Sequence, residues 1–350
     1  MPIPSTPENF SLPPLPDNAA DWTAKREALL LAWIGLQYGT LPPVPNAVQS
    51  EVLIRSTVRR FQDSENVQVR LTIPGPYPVS FRLDLLIPPS NGPRAVLLCG
   101  DACWHYVSDM VKEEVLRRGY LLALFSRVEI VPDLAESAGS ANLYRNHPGQ
   151  HFGAIAAWAW AYHRCVDYLL TLDVVDLTRI AIAGHSRGGK TTLVAGATDP
   201  RIALTCANNS GTGGSAAYRI RNEGSERLGD LCRQFPHWMH PDFGRFAGCE
   251  ESLPFDQHLL QALVAPRGLL LTEALSDFWS NPVGSWHAHH AAKEIYRSFG
   301  VPERAGIHFR EGDHSHVYED WLTTLDFADL LFFGTKCDRD FAASPHQQNR

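Results

Sequence analysis

The chain has 350 residues, 44% of them hydrophobic and 20% charged, with a formal net charge of -7. Such a chain buries a large core and is not a disordered segment. Its acidic balance excludes a general nucleic-acid binder, and no apolar run approaches the roughly 20 residues of a membrane span.

Residues 1–20 are rich in Pro and Asn and are expected to lie extended over the surface. They lack the apolar stretch of a secretory signal. The chain as numbered therefore reads as intracellular, or as a protein whose signal was removed. The spacing of Leu29, Leu30, Trp33, Ile34 and Leu36 predicts a helix over 22–36. Three runs follow, at 51–61, 67–73 and 80–87, in which apolar and polar residues alternate. That is the pattern of half-buried antiparallel strands. From residue 95 the pattern changes. Short, mostly apolar runs at 95–99, 121–125, 180–183, 203–207, 268–272 and 306–309 alternate with helical stretches at 107–118, 152–172, 188–198, 284–299 and 318–333. Continuous apolar strands separated by helices predict a parallel sheet covered on both faces. Residues 1–350 then form a single α/β domain: an extended segment to residue 20, a helix with antiparallel strands over 21–90, and a catalytic core over 91–335.

The strand at 180–183 runs into Gly184-His185-Ser186-Arg187-Gly188-Gly189-Lys190, and a helix follows. Gly-x-Ser-x-Gly between a strand and a helix is the context of a nucleophile elbow. Small residues on either side of Ser186 let the backbone close around it. A serine hydroxyl is a weak nucleophile at neutral pH, so a base and an orienting acid are required. In this fold class they follow in the order Ser, acid, His. The base is expected in the loop after the strand at 306–309, where His314 and His316 are both candidates and His314, first after the glycine turn, is preferred. The acid is expected after the strand at 268–272. Asp277 sits where a loop acid reaches the histidine, and Glu273, nearer the strand end, is the second candidate. The loop at 208–214 carries no carboxylate. Arg187, inside the elbow, lies near any developing oxyanion. Lys190 stands one helical turn after Ser186, and Trp279 offers a flat face to a sugar ring.

Other chemistries are poorly matched. The seven cysteines are scattered, odd in number and lack a C-x-x-C pair, which points to free thiols rather than a disulfide framework or zinc ribbon. His287, His289 and His290 lack the i, i+4 spacing of helical metal ligands. Neither a P-loop nor a dinucleotide fingerprint is present.

Several longer segments resemble one family. They are Gly184 through Lys190, Asn209-Ser210-Gly211-Thr212-Gly213-Gly214 with Arg219, Gln234-Phe235-Pro236-His237-Trp238, Leu253 through His258 with Ala265-Pro266-Arg267, Asp277-Phe278-Trp279, and His314 through Trp321. Together they resemble the glucuronoyl esterases of carbohydrate esterase family 15, in their bacterial branch. The resemblance implies an α/β-hydrolase fold and a metal- and cofactor-independent serine esterase acting on a carbohydrate partner. That partner is an ester of glucuronic acid, as between xylan side groups and lignin alcohols, or a smaller uronate ester. By position it implies Ser186 as nucleophile, His314 as base, Arg187 at the oxyanion, and Lys190, Glu226 and Trp279 in the sugar pocket. Fungal members carry the acid where this chain has Asn209, and some bacterial members place it where this chain has Asp277. The competing readings are an acetyl or other small-ester hydrolase on the same fold and an inactive carbohydrate-binding relative.

Overall fold

The computed structural model describes residues 10–89, 92–104 and 107–345. Nine strands form one sheet: β1 (Gln49–Val58), β2 (Ser64–Ile73), β3 (Val79–Ile87), β4 (Arg94–Cys99), β5 (Leu121–Phe125), β6 (Val175–His185), β7 (Leu204–Asn208), β8 (Gly268–Ala274) and β9 (Ala305–Arg310). The helices are α1 (Ala19–Gln37), α2 (Asp109–Arg117), α3 (Ala135–Ala138), α4 (Asn142–Asn146), α5 (Ala154–Leu169), α6 (Arg187–Thr198), α7 (Leu228–Gln234), α8 (Gln257–Ala262), α9 (Pro282–Ser298) and α10 (Tyr318–Phe333).

The strand order is β1-β2-β3-β5-β4-β6-β7-β8-β9. The first three strands and the β3–β5 pair are antiparallel, and every pair from β5 to β9 is parallel. The two halves expected from the sequence therefore share one continuous sheet. One apolar layer joins α1, α5, α6, α8 and α9 to the sheet, and a second packs α2 and α10 against the opposite face. This is the α/β-hydrolase arrangement, with the all-apolar central strands that two covered faces require.

Element boundaries moved where caps decided them. Asn18 accepts from the Asp21 N–H, so α1 begins at Ala19, earlier than its apolar stripe. Ser108 caps α2 in the same way, which delays that helix to Asp109. β6 starts at Val175, five residues before its apolar run, because polar Asp176, Thr178 and Arg179 precede the buried stretch.

One expectation is corrected. The alternation in β1 predicted a half-buried strand, yet Gln49 through Thr57 are all exposed, Val52, Leu53 and Ile54 among them. β1 is the edge strand beyond β2, and no described element covers either of its faces. β2 and β3 do alternate as expected, with Val67, Val69, Leu71, Phe81, Leu83 and Leu85 in the core.

Of the N-terminal segment, residues 1–9 lie outside the described residues. Phe10 and Leu12 pack beside Ala217, Ile220 and Ala288, and the Pro13 carbonyl lies 2.8 Å from His258 Nε2. All seven cysteines are free. No helix of the described residues is long and apolar enough to cross a membrane. Among the described residues, no group of three His, Cys, Asp or Glu side chains is arranged to hold a metal ion.

Candidate active site

The site lies at the carboxyl ends of the parallel strands, where loops after different strands converge. The turn between β6 and α6 places Ser186 at φ 56° and ψ -120°, a backbone conformation that non-glycine residues rarely adopt. The turn is held on both sides, because Ser186 N–H donates to the Asn208 carbonyl and the Ser186 carbonyl accepts from Lys190 N–H. The flanking glycines are there for space. A Cβ on Gly184 would stand 2.5 Å from the Gly188 carbonyl oxygen, and one on Gly188 would stand 2.2 Å from the buried Asp101 carboxylate. Asp101 in turn accepts from the His185 backbone N–H and pairs with Arg127.

The loop after β9 carries His314. Its Nε2 lies 3.0 Å from Ser186 Oγ, and its Nδ1 lies 2.6 Å from Asp277 Oδ2. These partners assign the proton to Nδ1 and leave the Nε2 lone pair facing the hydroxyl. Asp277 comes from the loop after β8, and its other oxygen accepts from Ser280 N–H. Burial pushes the Asp277 carboxyl up, but the bonds from His314 and Ser280 outweigh it and hold the group below its ordinary value. Arg310, ion-paired with Asp320, donates to the carbonyls of Glu311, Asp313 and Ser315 and so shapes the His314 loop.

The second candidates stand elsewhere. His316 is buried, stacked on Trp321 at 4.2 Å and on His185 at 5.5 Å. Glu273 is fully buried within β8, and its Oε1 accepts from Ser215 Oγ rather than from an imidazole. The Asn209 side chain ties the strand end together, accepting from Ala274 N–H and donating to the Ser315 carbonyl.

Glu273 carries a pH signature. Burial raises its pKa to about 8, against an ordinary value near 4.5. The folded state therefore favours the neutral acid, and its contribution is complete at acid pH and lost as pH rises toward 8. Glu273→Gln removes that titration. Thermal melts should show the variant gaining on the wild type between pH 5 and pH 8, by roughly 3–5 kcal/mol if the whole shift is released. Parallel profiles for the two proteins would contradict this.

Around Ser186 the remaining residues form two groups. Lys190 is buried, with Nζ donating to the Ser210 carbonyl. Burial lowers its pKa and the nearby Glu226 opposes that. Glu226 is buried as well and is pushed up by burial, against Lys190. The Glu226 backbone N–H donates to the Trp279 carbonyl, so the two residues are joined, and the Trp279 side is 45% exposed. On the other side, Arg187 Nη1 donates to Asp133 Oδ2, and its guanidinium centre lies 4.6–5.0 Å from the ring centres of Trp104, Phe235 and Trp238. Asp133, Trp104 and Arg310 were not singled out from the sequence. Asp133 sits in no motif, whereas Phe235 through Trp238 lie in a segment quoted for the family resemblance.

A family profile described as "Glucuronyl esterase, fungi" matches residues 82–300. The chain belongs to the glucuronyl esterase family. It is similar to carbohydrate esterase MZ0003 of an unknown prokaryotic organism, at 35% identity over 62% of this chain and 55% of that protein. It is also similar to the 4-O-methyl-glucuronoyl methylesterase of Schizophyllum commune, at 28% identity over 99% of this chain and 89% of that one. Among solved structures it resembles the glucuronoyl esterase from Solibacter usitatus, with a TM-score of 0.83, 28% identity, and coverage of 93% of this chain and 99% of that chain. Membership of this glucuronyl esterase family makes the chain a carboxylic ester hydrolase of the serine type.

Proposed function

We propose that this chain hydrolyses esters of glucuronic acid by acyl transfer through Ser186. The observation that carries the reading is the unbroken series from Ser186 Oγ to His314 at 3.0 Å and from His314 to Asp277 at 2.6 Å, set on a strained elbow.

Ser186 Oγ attacks the ester carbonyl while His314 Nε2 takes its proton. Asp277 keeps the imidazole in the required tautomer and stabilises its cationic form. His185 packs 4.7 Å from the His314 ring. Burial, and then His314 beside it, push the His185 pKa down to about 3, so it stays neutral at working pH. The charge that develops on His314 thus meets no second cation from that side. Negative charge on the carbonyl oxygen is met by the backbone N–H of Arg187, at the positive end of α6, and by the Arg187 guanidinium. His314 returns its proton to the departing alcohol. Water, activated by the same imidazole, then releases the acid and frees Ser186.

An esterified uronate carries no carboxylate charge, so recognition of the sugar rests on its hydroxyls and ring face. Lys190 supplies donors, Glu226 an acceptor, and half-exposed Trp279 a flat surface. Because Lys190 and Glu226 offset each other, a neutral ligand meets a neutral pair.

Hydrolysis of benzyl glucuronate beside p-nitrophenyl acetate tests the substrate. The glucuronate ester should be preferred in kcat/KM by at least about tenfold, since buried polar groups are left unpaired by the acetyl group. Turnover of the acetyl ester alone would sink the uronate assignment and leave a general serine esterase.

A further inference from the structure

We propose that Asp133 is a positioning residue that fixes the Arg187 guanidinium with Nη2 left to donate to the oxyanion; this rests on the oxyanion reading of Arg187 above. A carboxylate beside an arginine usually takes two N–H groups in a fork. Here it takes one. Asp133 Oδ2 accepts from Arg187 Nη1 at 2.6 Å, while Oδ1 is already occupied by the Trp238 indole N–H at 2.8 Å and by His237 Nε2 at 3.0 Å. Nη2 is thereby left without a bond from Asp133, on a side chain that keeps 23% exposure. Arg187 Nε is buried and has no hydrogen-bond partner among the described residues.

The aromatic faces of Trp104, Phe235 and Trp238 prevent the guanidinium from swinging away. The parts of this cradle come from separate loops: Trp104 after β4, Asp133 after β5, and Phe235 to Trp238 after α7. Burial pushes the Asp133 carboxyl up, but its bonds from His237, Arg187 and Trp238 hold it well below the usual carboxylate range. It is therefore an anion at any working pH and balances the arginine. What Arg187 then offers the transition state is direction rather than net charge.

The test is a double-mutant cycle on benzyl glucuronate, with kcat, KM and Tm measured for Asp133→Ala, Arg187→Ala and the double variant. Arg187→Ala should lower kcat about 10²-fold, as loss of an oxyanion donor does. Asp133→Ala should lower kcat about tenfold with KM within about twofold, and in the Arg187→Ala background it should change kcat by less than about twofold. Asp133→Asn, which keeps an acceptor for Trp238 but not the charge, should fall between wild type and Asp133→Ala. It carries the same comparison if the alanine variant does not fold. Losses that multiply in the double variant, or an Asp133→Ala effect confined to KM or Tm, would overturn the proposal while leaving the oxyanion role of Arg187 intact. An Arg187→Ala enzyme with wild-type kcat would instead remove the reading on which the proposal rests.

Discussion

Ser186→Ala is expected to lower kcat on benzyl glucuronate by about 10⁶-fold, because removing the nucleophile of such a triad has an effect of that order. The reason is the elbow. Ser186 is held at φ 56° by bonds on both sides, with its hydroxyl 3.0 Å from His314 Nε2. Alanine has no oxygen to form the acyl-enzyme, and no other hydroxyl stands at that nitrogen among the described residues. The remaining activity would come from substrate binding and the oxyanion donors. The variant should keep its fold, since the backbone bonds of the turn do not use Oγ. Steady-state kinetics with a melting curve decides the matter. A folded Ser186→Ala protein that retains more than about 1% of the activity would rule out Ser186 as the nucleophile.

Asp277→Asn has the second largest expected effect, a fall in kcat of about 10⁴-fold with little change in KM, as when a triad acid is replaced by its amide. An asparagine can turn an N–H toward His314 Nδ1, which moves the imidazole proton to Nε2. The nitrogen that should accept from Ser186 then cannot. Ser280 Oγ, 3.0 Å from the same Nδ1, offers an alternative acceptor and limits the loss. Glu273→Gln is the matched control and should leave kcat within about threefold, because Glu273 is turned toward Ser215. A dead Glu273→Gln enzyme beside an active Asp277→Asn enzyme would reverse the two carboxylates.

These predictions separate residues that the linear chain left paired as alternatives. Asp277 and Glu273 are four positions apart, as the end of a strand and its loop. Both faces of β8 are covered, so every residue of the strand is buried, and Glu273 lies there beside Ser215 and Ser285. Asp277 lies past the strand, where the chain is free to bring a carboxylate across to the next loop. His314 and His316 differ in the same way, for His316 is buried between its ring contacts with Trp321 and His185. Asn209, in a loop without a carboxylate, joins β8 to the histidine loop instead.

The parallel sheet, its covering helices and the elbow were legible in the sequence by itself. Each is written in neighbouring residues, as apolar runs, helical periodicity and a Gly-x-Ser-x-Gly turn between them. What lies between distant residues was settled only in three dimensions. The bond from His314 to Ser186 spans 128 positions, that from His314 to Asp277 spans 37, and that from Arg187 to Asp133 spans 54. The exposure of β1 is of the same kind: its alternating pattern suits a covered strand, yet it lies bare at one edge of the sheet while β9, at the opposite edge, is buried. Local pattern determines which element forms, because backbone hydrogen bonding and side-chain periodicity are short-range. Which loops meet, and which face of a strand is covered, depends on the order in which the strands assemble.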